Sequence, residues 1–167
     1  HSAAVDAENN RLFVYGGGDA GAWLGPFLGD LWYLDLPSGS WVRLHAGGLG
    51  APMHRIWSTL TYDSIHDRLL LFAGHDDGIM GHNNDTWAFN LSDNTWQNLT
   101  PPSEVNKPAH AFCDFPPDFT LPNLDVPERR SAHLAGLDTI RGEWVVFGGK
   151  TDCGLIDDVW VFSLMQD

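Results

Sequence analysis

The sequence predicts an all-β protein made of repeated small sheets, and three observations support this. An alternating apolar segment that ends in glycines, followed by a loop and then Asp-x-Trp, occurs three times in the 167 residues. Eighteen glycines and ten prolines supply the turns that many short strands need. No long stretch carries apolar residues at helical spacing. Repetition of one unit at this scale is typical of stacked sheets that bury a shared core.

Each repeat divides into four short strands, most completely in the second copy. Residues 60–63 end at an Asp and are followed by a polar turn, an apolar strand over 68–72 and the pair Ala73-Gly74. Asp85-Thr86-Trp87 opens the third strand, and the turn at 92–94 leads to the fourth strand at 95–99. Strands joined by tight turns pair antiparallel, so each repeat predicts one propeller blade. The corresponding segments are 3–6, 11–17, 30–36 and 40–44 in the first copy, and 135–138, 143–149 and 158–164 in the third.

This unit resembles the kelch repeat over nearly the whole chain apart from residues 100–129. The second copy departs from the pattern with Ala73-Gly74 in place of two glycines. The resemblance implies a kelch-type β-propeller and little about chemistry, because kelch propellers share a fold far more than an activity. The matching features are the Arg before the first strand (Arg55, Arg130), the glycine pair (Gly16-Gly17, Gly148-Gly149) and the late Trp (Trp41, Trp96).

The repeats divide the chain into three blades and two connections. We expect the first blade at 1–44, opening inside its repeat, the second at 55–99, and the third at 130–167 without an outer strand. Residues 45–54 form an inter-blade loop, and residues 100–129 form a proline-rich insertion. Three blades are fewer than the four to eight of closed propellers, so we expect the chain to be part of a larger or an assembled propeller.

Charge and hydropathy argue against several classes of partner. Twenty-two acidic and nine basic side chains give a net charge of −13, which repels phosphate backbones and disfavours nucleic acid. The sequence has no run of about 18 apolar residues that would predict a membrane span. Residues 1–20 lack the pattern of a signal peptide. A protein or a glycan fits this surface better.

The up-and-down order of the strands places the long connections on one side of the molecule. The loops 18–29, 75–84 and 150–157 and the two inter-blade links emerge there, and we call this set the loop face. Loops held by a rigid scaffold are the usual seat of binding. The sequence therefore favours a non-enzymatic recognition module for a protein or glycan. Its expected aromatic anchors are Trp23, Phe27, Phe112, Phe115 and Phe119.

Two other functions stay open. His75, Asp77 and His82 form the densest polar cluster of the loop face and could hold a divalent metal in an enzyme, although Asp77-Gly78 is equally typical of a turn. The sequence contains no nucleophile elbow and no phosphate-binding loop, so we expect no cofactor besides that metal. A structural subunit that self-associates through open blade edges is the second alternative.

The histidines at the inner strands have a simpler interpretation. His1, Ser58 and His133 align at one level of the innermost strands. Histidine at this place is common in the kelch pattern, so the resemblance implies a structural role for it. Catalysis at this level is the disfavoured alternative.

The cysteines and glycosylation sequons favour a secreted protein. Cys113 and Cys153 both fall on the loop face, where a disulfide would pin the insertion to the third blade. Two free thiols, or a metal site completed by His110 and His133, are the alternatives. These features predict an extracellular glycoprotein, with a cytoplasmic protein as the alternative. The sequons begin at Asn84, Asn90 and Asn98.

Overall fold

The computed structural model describes residues 1–19, 25–76, 81–103, 125–151 and 154–165, which form eleven strands. Within these ranges there is no helix long and apolar enough to cross a membrane. The strands are β1 (Ser2–Asp6), β2 (Arg11–Gly18), β3 (Phe27–Asp35), β4 (Ser40–His45), β5 (Thr59–Asp63), β6 (Arg68–His75), β7 (His82–Asn90), β8 (Thr95–Thr100), β9 (Leu134–Asp138), β10 (Glu143–Thr151) and β11 (Gly154–Ser163).

The strands form three antiparallel sheets in simple up-and-down order. The first sheet is β1-β2-β3-β4, the second is β5-β6-β7-β8, and the third is β9-β10-β11 in the described residues. Strand β1 contacts β5 and β5 contacts β9, so the first strand of each sheet is the innermost. The prediction of an all-β chain built from three repeated sheets is confirmed.

Buried carboxylates fix the turn between the first two strands of a sheet. Asp6 accepts hydrogen bonds from the backbone N–H of Asn9 at 3.1 Å and from the Arg11 guanidinium at 2.7 Å. Burial raises the pKa of Asp6, but the hydrogen bonds from Arg11 and Asn9 outweigh this and lower the pKa below its ordinary value. Asp63 repeats the arrangement with His66 and Arg68. The Asp that ends β1 and the Asp that ends β5 are therefore structural residues.

Two apolar clusters hold the sheets together, one at each interface. The middle sheet takes part in both, so β6 is buried on its two faces, whereas β2 alternates between buried and half-buried residues. Burying each of the large aromatic side chains contributes about 2–3 kcal/mol. The first cluster contains Ala4, Phe13, Tyr15, Leu31, Leu60, Leu69, Leu71, Phe89 and Trp96, and the second contains Leu70, Phe72, Ala73, Ala88, Trp144 and Val146.

The outer faces of the first and third sheets carry exposed apolar side chains. Trp41 in β4 is 52% exposed, whereas its repeat equivalent Trp96 in β8 is 9% exposed. The difference arises because Trp96 lies between two sheets and Trp41 lies on an open face. The third sheet exposes Leu134, Phe147 and Val159 in the same way. Self-association through open blade edges stays a prediction.

The last glycine of the motif after the second strand, which is Gly17, Gly74 or Gly149, allows the segment that enters the innermost strand to approach closely. Gly74 has a φ of +105°, and a Cβ placed on it would lie 2.9 Å from both the Ile56 carbonyl oxygen and the Ser58 Cβ. A Cβ on Gly149 would lie 2.9 Å from the His133 Cβ, and one on Gly17 would lie 3.2 Å from the His1 Cβ. Only glycine leaves room for the segment that enters the innermost strand.

We predict that Gly74→Ala destabilises the protein by about 2–4 kcal/mol, since the new methyl group meets backbone as well as adopting a strained φ. Gly48→Ala is the matched control, because Gly48 also has positive φ (+95°) but nothing within 4 Å of its Cβ position. The control isolates the cost of the backbone conformation, about 1 kcal/mol. Urea unfolding measures both. Equal losses for the two variants would contradict the close-approach explanation.

Candidate functional site

The inter-blade links join neighbouring sheets at the loop face through backbone hydrogen bonds. The N–H of Arg55 donates to the Leu28 carbonyl at 3.2 Å, and the N–H of Gly17 donates to the Arg55 carbonyl at 3.1 Å. One residue later, Ile56 exchanges two bonds with His75 of the second sheet. The backbone of Arg55 and Ile56 is thus hydrogen-bonded to both the first and the second sheet. The second link repeats this pattern at Arg130 and Ser131.

A buried arginine in each link binds the Asp of the Asp-x-Trp motif. The Arg55 guanidinium donates to both carboxylate oxygens of Asp85, at 2.6 and 2.9 Å, and to the Ala73 carbonyl oxygen at 2.9 Å. The indole N–H of Trp87 donates to the same carboxylate at 2.7 Å. Since Arg55 and Asp85 are both buried, the pair is stable only when every partner is present.

The third sheet contains the same unit. Arg130 donates to both oxygens of Asp158, at 2.5 and 2.7 Å, and Trp160 donates to that carboxylate at 2.6 Å. Burial raises the pKa of Asp158, but the hydrogen bonds from Arg130 and Trp160 outweigh this and hold the pKa below its ordinary value. The sequence analysis identified the Arg and the Asp-x-Trp motif as features of the repeat but did not predict that they pair. Because the Arg and the motif occur together in two successive repeats, this recurrence could have indicated the ion pair.

Four aromatic rings meet at the base of the loop face, and we call them the His75 cluster: His75, His82, Phe27 and Trp57. The His75 ring lies 4.8 Å from His82, 6.2 Å from Trp57 and 6.4 Å from Phe27, each at a steep interplanar angle. His82 and Phe27 are buried, whereas His75 and Trp57 are half-buried. The cluster thus has a buried floor and a partly accessible surface.

Trp57 is the member that sequence reasoning missed. It has a φ of +55°, and its repeat equivalent in the second link is Ala132, with a φ of +51°. The carbonyl of Trp57 accepts a hydrogen bond from the N–H of Ala132 at 2.9 Å, so the two links are also joined to each other. The backbone conformation therefore belongs to the repeat, whereas the indole is particular to this position.

The predicted metal ligands are only partly described. His75 and His82 lie together, as the sequence suggested, and Asp77 lies outside the described residues. His82 Nε2 is within 3.0 Å of Ser131 Oγ. Within the described ranges, no group of three His, Cys, Asp or Glu residues is close enough to hold a metal ion. A divalent metal at this place stays a prediction.

The alignment of His1, Ser58 and His133 is confirmed, because each lies against the last glycine of its own sheet's pair. His133 is buried, and its Nε2 is 2.8 Å from Thr59 Oγ1 of the neighbouring sheet. Its ring lies 5.1 Å from the Phe72 ring. Burial, helped by the nearby Arg130 charge, lowers the pKa of His133 to about 3. His133 is therefore a neutral residue that joins two sheets, which suits a structural role.

Comparison with known proteins identifies the repeat. The model of the KLHDC2/KLHL20/DRC7 Kelch-repeats domain matches residues 1–114. This chain belongs to the kelch-repeat family. Dynein regulatory complex subunit 7 of Chlamydomonas reinhardtii is 37% identical to the kelch chain over 78 residues, which are 47% of the chain and 6% of that protein. The resemblance predicted from the sequence is confirmed, and the chain matches a small part of this relative's length.

Among the expected aromatic anchors of the kelch chain, only Phe27 is described. The prediction that Phe27 is an exposed anchor is wrong, since its side chain is 4% exposed. The reason is that β3 begins at Phe27, where the residue pairs with Gly18 and its ring packs near His75. The other predicted residues outside the described ranges are Trp23, Phe112, Phe115 and Phe119, together with His110, Cys113 and Cys153.

The first sequon of the kelch chain does not suit glycosylation. Asn84 is 8% exposed, and its side-chain amide donates to the Pro127 carbonyl and accepts from the Ser103 N–H, both at 2.9 Å. This amide connects the two ends of the second link to β7, so the prediction of a glycan on Asn84 is wrong for the folded chain. Asn90 and Asn98 are exposed, and glycosylation of these two stays a prediction.

We predict that Arg55→Met destabilises the kelch chain by about 3–5 kcal/mol, because the Asp85 carboxylate is then left buried without its countercharge. Arg141→Met is the control, since the exposed Arg141 lies 3.7 Å from Asp138 and a surface pair contributes less than about 1 kcal/mol. Differential scanning calorimetry on both variants gives the comparison. A loss below 1 kcal/mol for Arg55→Met would show that the pair does not hold the sheets.

We also predict that His133 makes the fold sensitive to acid. Its pKa falls from 6.5 in the unfolded chain to about 3 in the folded one. The unfolded state therefore takes up the proton first, and the stability contributed above pH 6.5 is lost as pH falls toward 3. Between pH 7 and pH 5, the wild type should lose about 1–2 kcal/mol more than His133→Gln. Urea titrations at each pH measure the free energy of unfolding, and His54→Gln, at an exposed histidine, is the control. Parallel pH profiles of stability for the wild type and His133→Gln would rule out His133 as the source of the acid sensitivity.

Proposed function

We propose that this kelch chain is a protein-recognition module whose partner binds the loop face at the His75 cluster. Kelch-repeat domains are typically protein-interaction modules, and the chain belongs to that family. The observation that carries the proposal is the side chain of Trp57. It is a large, half-buried aromatic residue on the loop face, at a position where the next repeat has alanine.

Comparison of the two links supports a binding role for this indole. Ala132 occupies the equivalent place with the same left-handed backbone, so the fold does not require an aromatic side chain there. A bulky residue with positive φ is uncommon and carries a conformational cost. Tryptophan is the side chain most enriched at the centres of binding interfaces. The indole therefore exceeds what the backbone of the repeat requires at this position, which supports contact with a partner here.

The surroundings of Trp57 are already rigid, which favours binding. Hydrogen bonds from Ala132 and through Ile56 to His75 hold the link on both sides. The buried Phe27 and His82 support the His75 ring from below. A preorganised surface loses little conformational entropy when a partner binds. The net charge of −13 favours a neutral or basic partner segment over an acidic one.

The proposed location is inside the cell. The relative in Chlamydomonas reinhardtii is named as a subunit of a dynein regulatory complex. This favours the cytoplasmic alternative over secretion and suggests a protein partner within a larger assembly. A glycan would use the same aromatic surface for stacking, and the experiment below separates the two.

We predict that Trp57→Ala abolishes partner capture and leaves the fold intact, because alanine is the residue of the next link. Tagged wild type, Trp57→Ala and Trp41→Ala are compared by quantitative affinity capture from cells that express the chain. Trp41 is the control, as it is exposed on the first sheet and lies away from the loop face. Proteins captured by wild type and Trp41→Ala but lost with Trp57→Ala are the expected result.

Identical protein sets from all three baits would overturn the assignment of the site. Trp57-dependent binding to an immobilised glycan array, with no protein dependent on Trp57, would indicate a glycan ligand instead. Thermal unfolding confirms that the variants are folded. Trp57→Ala removes a half-buried ring that packs 6.2 Å from His75, so we expect a loss of at most about 2 kcal/mol, which lowers the midpoint by about 4–8 °C.

A further inference from the structure

A cleft of about 410 Å³ opens on the second sheet at the end opposite the loop face, beside the turns that join β5 to β6 and β7 to β8. Its base is one continuous sheet, because Arg68 pairs with Asn90 across β6 and β7, and Ala88 pairs with Gln97 across β7 and β8. A space of this size is large enough for a small ligand or a side chain of a partner. The lining residues that the argument uses are His66, Arg68, Ala88, Asn90, Asp93 and Gln97.

The first sheet has larger or less polar side chains at the equivalent corner. Tyr33 stands where the second sheet has Ala88, and Val42 stands where it has Gln97. The Tyr33 ring packs 6.2 Å from the Phe13 ring, whereas the small Ala88 leaves this space open. Val42 is 39% exposed even though the sheet that faces it has all four strands. This corner of a sheet therefore stays accessible when a complete neighbouring sheet is in place.

A buried carboxylate fixes the hydrogen-bonding role of His66. Asp63 is buried, and one of its oxygens lies 2.8 Å from both His66 Nδ1 and Arg68 Nε. An ionised carboxylate can only accept, so neutral His66 carries its proton on Nδ1 and presents Nε2 as an acceptor. The residue at this place in the first sheet is Asn9, which also donates to its Asp but has no ring nitrogen. His66 therefore adds an acceptor that the first sheet lacks.

Arg68 and Asn90 supply donors to the same cleft. In the first sheet, Arg11 donates to Asp6 through both Nε and an amino group. In the second sheet His66 takes the place of the second donor, and in the described residues neither amino group of Arg68 has a hydrogen-bond partner. The Asn90 amide is oriented too, because its Oδ1 accepts from the backbone N–H two residues later at 2.9 Å and leaves Nδ2 free to donate.

The charges around the cleft favour an uncharged ligand. The Arg68 charge is compensated by Asp63, 2.8 Å away, and Asp93 adds a carboxylate to the lining. One oxygen of Asp93 accepts from the β7–β8 turn, and the other has no hydrogen bond in the described residues. An anion would be repelled by Asp93, and an ammonium group could not accept from Arg68 and Asn90. The ligand that fits accepts at one end and donates at the other.

We propose that this cleft is a second interaction site, on the side opposite the loop face, which binds the carboxamide side chain of a glutamine or asparagine in a partner polypeptide. A carboxamide has an acceptor oxygen and a donor NH2 group in one plane. Its oxygen faces Arg68 and Asn90, its NH2 group faces His66 Nε2 and Asp93, and the buried Ala88 forms the floor. The described lining has no Trp, Tyr or Phe on which a sugar ring could stack, so we commit to a polypeptide.

NMR titration of the full 167-residue chain tests the proposal, with N-acetyl-glutamine methylamide as the probe. We expect saturable shifts of the Arg68 Nε–H and Gln97 side-chain amide signals. The probe N-acetyl-glutamate methylamide has nearly the same shape but carries a charged oxygen in place of the donor NH2 group. It should bind at least fivefold more weakly, because it cannot donate to His66 and is repelled by Asp93.

Variants that introduce first-sheet residues into the cleft test its walls. Ala88→Tyr fills the floor and should weaken binding of the glutamine probe at least tenfold. Gln97→Val removes an exposed amide from the lining and should weaken binding at least twofold without affecting the fold. Val42→Gln makes the reverse change on the first sheet and is the matched control, so it should leave the affinity unchanged.

Thermal unfolding shows whether Ala88→Tyr is folded, and if it is not, Gln97→Val and the two probes decide the question. Equal affinity for the glutamine and glutamate probes, shifts confined to the loop face, or no saturable shift of the cleft signals would each overturn the proposal. Saturable binding of methyl glucoside at the cleft signals, with no binding of the glutamine probe, would overturn it in favour of a sugar. Partner capture that depends on Trp57 tests the loop face separately, so failure of either proposal is distinguishable from failure of the other.

Discussion

The buried arginines of the two links are the interactions on which the arrangement of the sheets depends. Each guanidinium binds a carboxylate from the third strand and a carbonyl from the second strand of the same sheet. A buried charge is tolerated only when all of its partners are in place. The link is therefore held in one position relative to the sheet that follows it. Because the backbone of the same arginine is hydrogen-bonded to the preceding sheet, this residue sets the angle between the two neighbouring sheets.

This constraint has a consequence for the loop face. Because Arg55 and Arg130 fix the links, residues two positions later are held in one conformation whatever their side chains are. Trp57 and Ala132 show that the side chain can change while the backbone does not. The links thus provide rigid backbone positions at which the side chain can differ from one repeat to the next. Variation between repeats, rather than similarity, is where a function specific to this chain appears.

The same reasoning applies to the second interface. Leu31 and Thr86 are equivalent by spacing, and both are buried, but only the first lies under a tryptophan from a fourth strand. The second interface keeps three aromatic side chains at equivalent positions, Phe72, Trp160 and Phe162, and has a hydroxyl in place of an apolar side chain. Internal repeats therefore act as matched controls within one molecule. They show which side chains both interfaces share and which differ between them.

Much of this fold could be predicted from the sequence because its signals are local. Turn residues and strand alternation determined the order of the strands, and three copies of one pattern determined that the sheets repeat. Phe27 and Asn84 were misjudged because both belong to contacts beyond the local pattern: Phe27 starts a strand that is longer than its apolar run, and Asn84 binds residues 19 and 43 positions away. Only the tertiary structure decided that Arg55 pairs with Asp85 and that a cavity lies between the second and third sheets beside β11. Both features bring together segments that are far apart in sequence. Their approach depends on how neighbouring sheets pack, and the local spacing of residues does not encode this packing.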